Sequence, residues 1–282
     1  MTCRVSAPTA SLLTAVAVAL GSPVPLRAEP VAVRVASSVE GVEVAALASV
    51  PKAPPEIGET ALCARFIVAP KSPAGRRVTE AGWAVTGEAR LGRFQAVSFA
   101  GRFTQGTSGS CEIGNGNVGI FEGQSLRAVA YARKGATRSI GRLVPFGDGL
   151  RLWDGGFLPQ PLADLRLDAV GGGVSVVPLA PIEAICGGKG LVPNVYGQPI
   201  TRAREWLRQA GWRPVTGPAP EDPRSREGDL VRMGVAEVES CSGTGFGFCA
   251  YGYAREGVAL SVTTVGDGDD PSVSGYVVDC RS

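Results

Sequence analysis

LVPNVYGQPITRAREWLRQAGW, Leu191 to Trp212, is the stretch whose reading decides the fold of the second half of this chain. A short extended entry leads to a turn at Gly197. Ile200, Ala203, Leu207 and Ala210 then recur at helical spacing with Trp206 beside them, while Arg202, Arg204, Glu205, Arg208 and Gln209 fill the opposite face. One face is therefore built for burial. Pro199 stands where a helix begins and a missing N–H costs nothing, and Gly211 stands where a left-handed cap ends one. The pattern predicts strand, amphipathic helix, glycine and strand in that order.

Val192, Pro193, Asn194, Gly197, Ala203, Leu207, Ala210 and Gly211 stand in the order and spacing of the PASTA module, which accompanies penicillin-binding proteins and wall-sensing serine/threonine kinases of bacteria. About 191–215 resembles the first half of such a module. Past Trp212 and Val215 the chain departs from it, with a proline-rich loop, a second helix candidate and a cysteine-containing hairpin in place of two closing strands. The resemblance implies a β-α-β entry, an extracytoplasmic life and recognition of peptidoglycan fragments.

Export is legible independently at the amino terminus. Arg4, an apolar run from Ser11 to Leu20, then Gly21, Ser22 and Pro23, and a small residue at Ala28, have the layout of a cleaved secretory signal over 1–28. The run is too short for a membrane span of about 20 residues, and the mature chain is expected to begin at Glu29 in the periplasm or outside the cell. Cleavage removes Arg4 and Arg27 and no acid, so 28 basic against 26 acidic residues becomes an even balance. A neutral chain without a basic run argues against nucleic acid or an anionic membrane as partner.

Six cysteines remain after Ala28, an even number that reads as three disulfides in an exported chain, with 15 possible connectivities. Keeping every bridge within one domain, and joining Cys241 to Cys249 across a hairpin centred on Gly245, leaves Cys186 with Cys280 and Cys63 with Cys111. The chain has no histidine, which excludes Ser-His-Asp and Cys-His nucleophiles and His-ligated zinc. No catalytic residue, metal or cofactor is expected.

Composition divides the rest into three. Residues 29–60 lack aromatics, close on Pro51, Pro54 and Pro55, and read as a flexible tether with Val31 to Val35 available as an edge strand. From 61–185, period-two runs punctuated by glycine-rich turns predict an all-β domain, a sandwich or partly open barrel, with strands at Leu62–Ala69, Gly82–Thr86, Phe94–Phe103, Gly119–Phe121, Leu126–Ala132, Thr137–Val144, Leu150–Trp153, Leu162–Asp168 and Val174–Val177. No helical period appears there. Residues 186–282 predict a disulfide-stapled α+β domain, in which one or two helices precede an antiparallel meander over Phe246–Tyr253, Val258–Val265 and Val273–Val278.

Five motifs ask for chemistry. Gly114-Asn-Gly-Asn-Val-Gly119 has the spacing of a dinucleotide fingerprint, but no helix follows it, and Asn115-Gly116 reads as a type I′ hairpin turn. Ser49-Val-Pro-Lys52 has the spacing of penicillin-recognising serine enzymes without their companion motifs. Asp267, Asp269 and Asp270 lack a calcium-loop pattern and read as an acidic turn. Trp83, Trp153, Asp154, Asp164 and Asp168 supply the aromatics and acids that a carboxylate glycosidase uses. Trp206, Trp212, Tyr251 and Tyr253, with Thr244 and Gly245 in the stapled loop, are the ligand-binding candidates, and Tyr276 belongs with these aromatics. The expected function is non-enzymatic binding of a peptidoglycan-type glycopeptide. An inhibitor or adaptor of another envelope protein, and a carboxylate glycosidase, are the alternatives.

Overall fold

In chain order, β1 (Arg34–Ser37) and β2 (Val42–Ala45) precede α1 (Pro73–Glu80), after which β3 (Ala84–Leu91), β4 (Phe94–Ala100), β5 (Arg102–Gln105), β6 (Cys111–Gly114), β7 (Asn117–Glu122) and β8 (Ser125–Ala132) follow closely. Next come β9 (Ile140–Phe146), β10 (Gly149–Asp154), β11 (Pro161–Leu167), β12 (Gly173–Val177), β13 (Ile182–Ile185) and β14 (Gly190–Pro193). The chain ends with α2 (Ile200–Gln209), β15 (Arg213–Pro214), α3 (Arg226–Arg232), β16 (Val238–Cys241), β17 (Cys249–Arg255), β18 (Val258–Val265) and β19 (Ser272–Asp279). The structure, a computed structural model, describes residues 34–55, 57–58, 60–168, 172–242 and 245–280. The secretory signal over 1–28 and Val31 lie outside the described residues.

Strand is the predominant regular structure of the described chain, and most of the pairing is antiparallel. Two five-stranded sheets, ordered β1-β12-β11-β10-β9 and β2-β8-β7-β4-β3, share one buried cluster. Leu91, Phe94, Ala96, Val118, Ile120 and Ala130 enter it from one sheet and Ile140, Leu143, Leu150, Leu152, Leu165 and Val176 from the other. Alternation explains the layering, because β4 turns Phe94 and Ala96 to this cluster and Val97 and Phe99 to a second one, where Ala74 and Val78 of α1 cover the outer face. Ser98 joins the sheets by accepting from Leu143 N at 3.1 Å and from Thr86 Oγ1 at 2.9 Å.

Two expectations fail here. The segment read as a tether, with only Val31 to Val35 allowed as an edge strand, supplies two strands: β1, at a sheet edge overlapping that stretch and parallel with β12, and β2, antiparallel with β8. Val42 is buried, and Pro51 O accepts from Trp83 Nε1 at 2.7 Å. A Val–Ala alternation thus finds two sheet edges to complete, which composition by itself does not reveal. The stretch Leu62–Ala69 is not a strand, because Phe66 N and Ile67 N bond back to Cys63 O and Ala64 O at 2.9 and 3.0 Å and turn the backbone.

Helix α1 went unforeseen because its buried face is only Ala74, Gly75 and Val78. Its legible signal was the Ser72-Pro73 start, where Ser72 Oγ accepts from Gly75 N at 2.9 Å. Ser72→Ala is expected to cost about 1 kcal/mol, read as a fall in melting temperature of about 2–4 °C.

The last part of the chain folds around a separate cluster containing Val192, Ile200, Ala203, Leu207, Trp212, Leu230, Tyr251, Tyr253, Leu260 and Val262. Helix α2 lays Ile200, Ala203 and Leu207 into it and stops at Gly211, which has φ +85°. Asp270 receives Thr201 N at 3.0 Å and Thr201 Oγ1 at 2.8 Å, so the acidic turn closes over the start of α2. The sheet runs β15-β17-β18-β19 with β16 also on β17.

Three disulfides staple these parts: Cys63–Cys111, Cys186–Cys280 and Cys241–Cys249, with Cα separations of 5.9, 5.4 and 4.0 Å. Cys241 and Cys249 are direct partners in the β16–β17 register.

Candidate functional site

The aromatic groove expected of Trp212, Tyr251 and Tyr253 does not form. All three are buried in the last core, Trp212 Nε1 donating to Leu191 O at 2.8 Å and Tyr253 OH donating to Glu237 Oε1 at 3.2 Å. Burial and Glu237 together push the Tyr253 phenol far above its ordinary range. The physical reason is register: Tyr251 and Tyr253 alternate onto the face of β17 that meets α2, and both polar tips find partners inside. Trp206 is half-buried with Arg202 stacked 5.7 Å from its ring, Gly245 is exposed, and Thr244 lies outside the described residues.

A different set of aromatics comes together. Where the end of the β9–β10 hairpin meets β13 and β19, a cleft of about 520 Å³ opens, lined by Phe146, Arg151, Trp153, Ile185, Tyr196 and Tyr276 among others. Tyr196 stacks on Tyr276 with centroids 5.1 Å apart, and Trp153 meets Tyr196 edge-on at 6.1 Å. The register of β10 shifts on both of its edges at Trp153, and such a bulge re-aims a side chain. The Cys186–Cys280 bond belongs to the same lining and ties the segment after β13 to the end of β19.

An ion cluster underlies these rings. Arg151, 1% exposed, holds Asp164 through two bonds of 2.9 and 3.2 Å and lies 2.5 Å from Glu183 Oε1. Arg166 reaches the same Asp164 at 3.0 Å, and Tyr276 OH donates to Glu183 Oε2. Arg151 also stacks on Phe146, 3.5 Å from the ring centre. Burial works against the charge of Arg151, but its bonds to Asp164 and Glu183 prevail and hold it protonated. Burial pushes the Glu183 carboxyl above its ordinary range against the pull of Arg151, and pushes the Tyr196 phenol up as well. Trp153 Nε1 is a buried donor without an acceptor among the described residues, while Arg151 also hydrogen-bonds toward the Tyr196 hydroxyl.

Two of the acids named for glycosidase chemistry, Asp154 and Asp164, are held in ion pairs, and Asp168 Oδ1 has no hydrogen-bond partner among the described residues. Asp154 holds Arg138 Nε at 2.7 Å and accepts from Gln160 N at 3.0 Å, while Asp164 belongs to the arginine cluster. Trp83 packs edge-on against Phe99 beneath α1, and Asp168 N bonds Gly173 O. Among the described residues no group of three or more acids and cysteines is placed to hold a metal.

The signal for the cleft was charge inside apolar alternation. Arg151 interrupts Leu150-Arg-Leu-Trp153 and Glu183 interrupts Ile182-Glu-Ala184, which marks two buried charges that need each other. Their pairing across 32 positions of sequence is invisible to local reading. No family model, no curated protein and no solved structure matches this chain.

Proposed function

We propose that this is an exported, non-enzymatic binding protein of the cell envelope that takes a peptidoglycan-type glycopeptide in the cleft between Trp153, Tyr196 and Tyr276. The carrying observation is that convergence of three aromatic residues beside a buried donor, Trp153 Nε1, that lacks an acceptor among the described residues. Aromatic faces suit the apolar side of a sugar ring, and a buried donor left unpaired costs about 1–3 kcal/mol that an acceptor oxygen on a ligand recovers. The volume falls within the range of about 300–1,000 Å³ typical of ligand pockets. Three disulfides fit an oxidising compartment, and no described helix is long and apolar enough to cross a membrane. The resemblance of 191–215 to a PASTA module favours a wall ligand.

On this reading the cleft draws on both halves of the chain, with 61–185 supplying Arg151 and Trp153 and 186–282 supplying Tyr196 and Tyr276. A soluble muropeptide at 100 times its dissociation constant is expected to stabilise the native protein by about 2.7 kcal/mol, a rise of roughly 5–10 °C in melting temperature. Trp153→Ala abolishes the rise and Trp206→Ala keeps it. A flat response of the unaltered protein at millimolar ligand rejects this function in favour of the adaptor, whose surface would be the outward face of β13–β14, where Ile182 is 54% and Leu191 39% exposed.

A further inference from the structure

The glycine-asparagine corner between β6 and β7 is not a hairpin turn. Strand β6 pairs with β5, β7 pairs with β4 and β8, and the chain crosses between two sheets at Asn115, whose φ is +51°. A hollow of about 460 Å³ lies between this corner and the loop joining β8 to β9. It is lined by Arg102, Arg133, Lys134 and Arg138, with Glu112 as the only acid among the described residues in its lining.

Two of those cations are compensated, Arg138 by Asp154 at 2.7 Å and Arg102 by Glu112 at 3.5 Å. Glu43 stands by the hollow and accepts from Tyr131 OH at 3.1 Å. Arg133 and Lys134 are exposed and have no acid within ion-pair distance among the described residues. A Cβ at position 114 would lie 2.5 Å from Arg102 Nε, so Gly114 makes the room that this guanidinium occupies. Asn115 and Thr137 add an exposed amide and an exposed hydroxyl.

We propose that this hollow binds the carboxylates of an acidic polysaccharide. Uncompensated cations in a concavity concentrate positive potential there, although the chain as a whole is almost balanced in charge. Guanidinium groups take carboxylates by charge-assisted hydrogen bonds, and the amide and hydroxyl of Asn115 and Thr137 pair with sugar hydroxyls. A concave site admits a strand of polymer, whereas a flat bilayer surface would not reach its floor. The site is separate from the aromatic cleft and stands or falls without it.

The probe is polygalacturonate, measured by calorimetry at low salt beside neutral dextran, polyphosphate and phosphatidylglycerol vesicles. Polygalacturonate is expected to bind the unaltered protein, to weaken as salt is added, and to lose at least tenfold in affinity with Arg133→Gln/Lys134→Gln. A control pair on the exposed side of α2, Arg202→Gln/Arg208→Gln, and Trp153→Ala are expected to leave the affinity unchanged. Equal binding by the Arg133/Lys134 pair variant overturns the site, as does absence of binding or loss with Trp153→Ala. Dextran binding as tightly as polygalacturonate overturns the role of the carboxylates, and equal affinity for polyphosphate or for the vesicles overturns the polysaccharide class.

Discussion

Replacing Arg151 with methionine is expected to destabilise the protein by about 3–5 kcal/mol, the usual cost of removing one partner from a buried ion pair. Asp164 and Glu183 are 1% and 3% exposed. Asp164 would retain Arg166, and Glu183 would retain the hydroxyl of Tyr276 and the more distant charge of Arg166. Urea unfolding at pH 7 measures the loss, and its dependence on pH carries the sign. Burial already holds the Glu183 carboxyl above its ordinary range with Arg151 in place. A carboxyl raised on folding contributes stability below its unfolded value of about 4.3 and loses it as pH rises through the folded value. Without the guanidinium that value rises further, so the deficit of Arg151→Met is greatest at neutral pH and shrinks toward pH 4. A deficit independent of pH, or one under about 1 kcal/mol at pH 7, would show that the cluster does not hold this seam. Glu183→Gln, which leaves Arg151 paired with Asp164, is expected to cost less than Arg151→Met.

How far the sequence carries depends on whether a signal is local. Helix α2 was legible because Ile200, Ala203 and Leu207 fall on one face and Gly211 closes it, all within one short stretch. Strand β18 was legible because Val258, Leu260, Val262 and Thr264 alternate with half-buried positions. Where both faces are buried, as in β4, alternation disappears, yet an apolar run still reads as strand. What failed was whatever needs a distant partner. Strand β2 is too short and too plain to declare itself without β8 beside it, and β1 is legible only as an available edge strand until β12 stands beside it. Tyr251 and Tyr253 have the amphipathic character of ligand-binding aromatics, and only their distant partners, Glu237 just before β16 and Thr264 on β18, explain why they are inside. The cleft is the extreme case, since Trp153, Glu183, Tyr196 and Tyr276 lie in separate elements and a β-bulge decides where Trp153 points.

The second large effect concerns the Cys186–Cys280 bond, whose removal as Cys186→Ser/Cys280→Ser should cost most among the three disulfides. In the chain-entropy account a bond closing 94 residues stabilises by about 4.7 kcal/mol, one closing 48 by about 4.1 and one closing 8 by about 2.5. The corresponding pair variant at Cys241 and Cys249 therefore loses about 2 kcal/mol less. The two variants also separate by function. Cys186 and Cys280 line the cleft on segments that also supply Ile185, Tyr276 and Val278, so releasing them frees two of its walls, whereas Cys241 and Cys249 line none of it. Muropeptide-induced stabilisation is accordingly expected to disappear when Cys186–Cys280 is removed and to persist when Cys241–Cys249 is removed, at a temperature where both variants remain folded. Titration of each variant in its folded state separates loss of the walls from loss of the fold. Full affinity after removal of Cys186–Cys280 would mean that the stacking of Tyr196 on Tyr276 and the bond between Tyr276 and Glu183 hold the cleft by themselves.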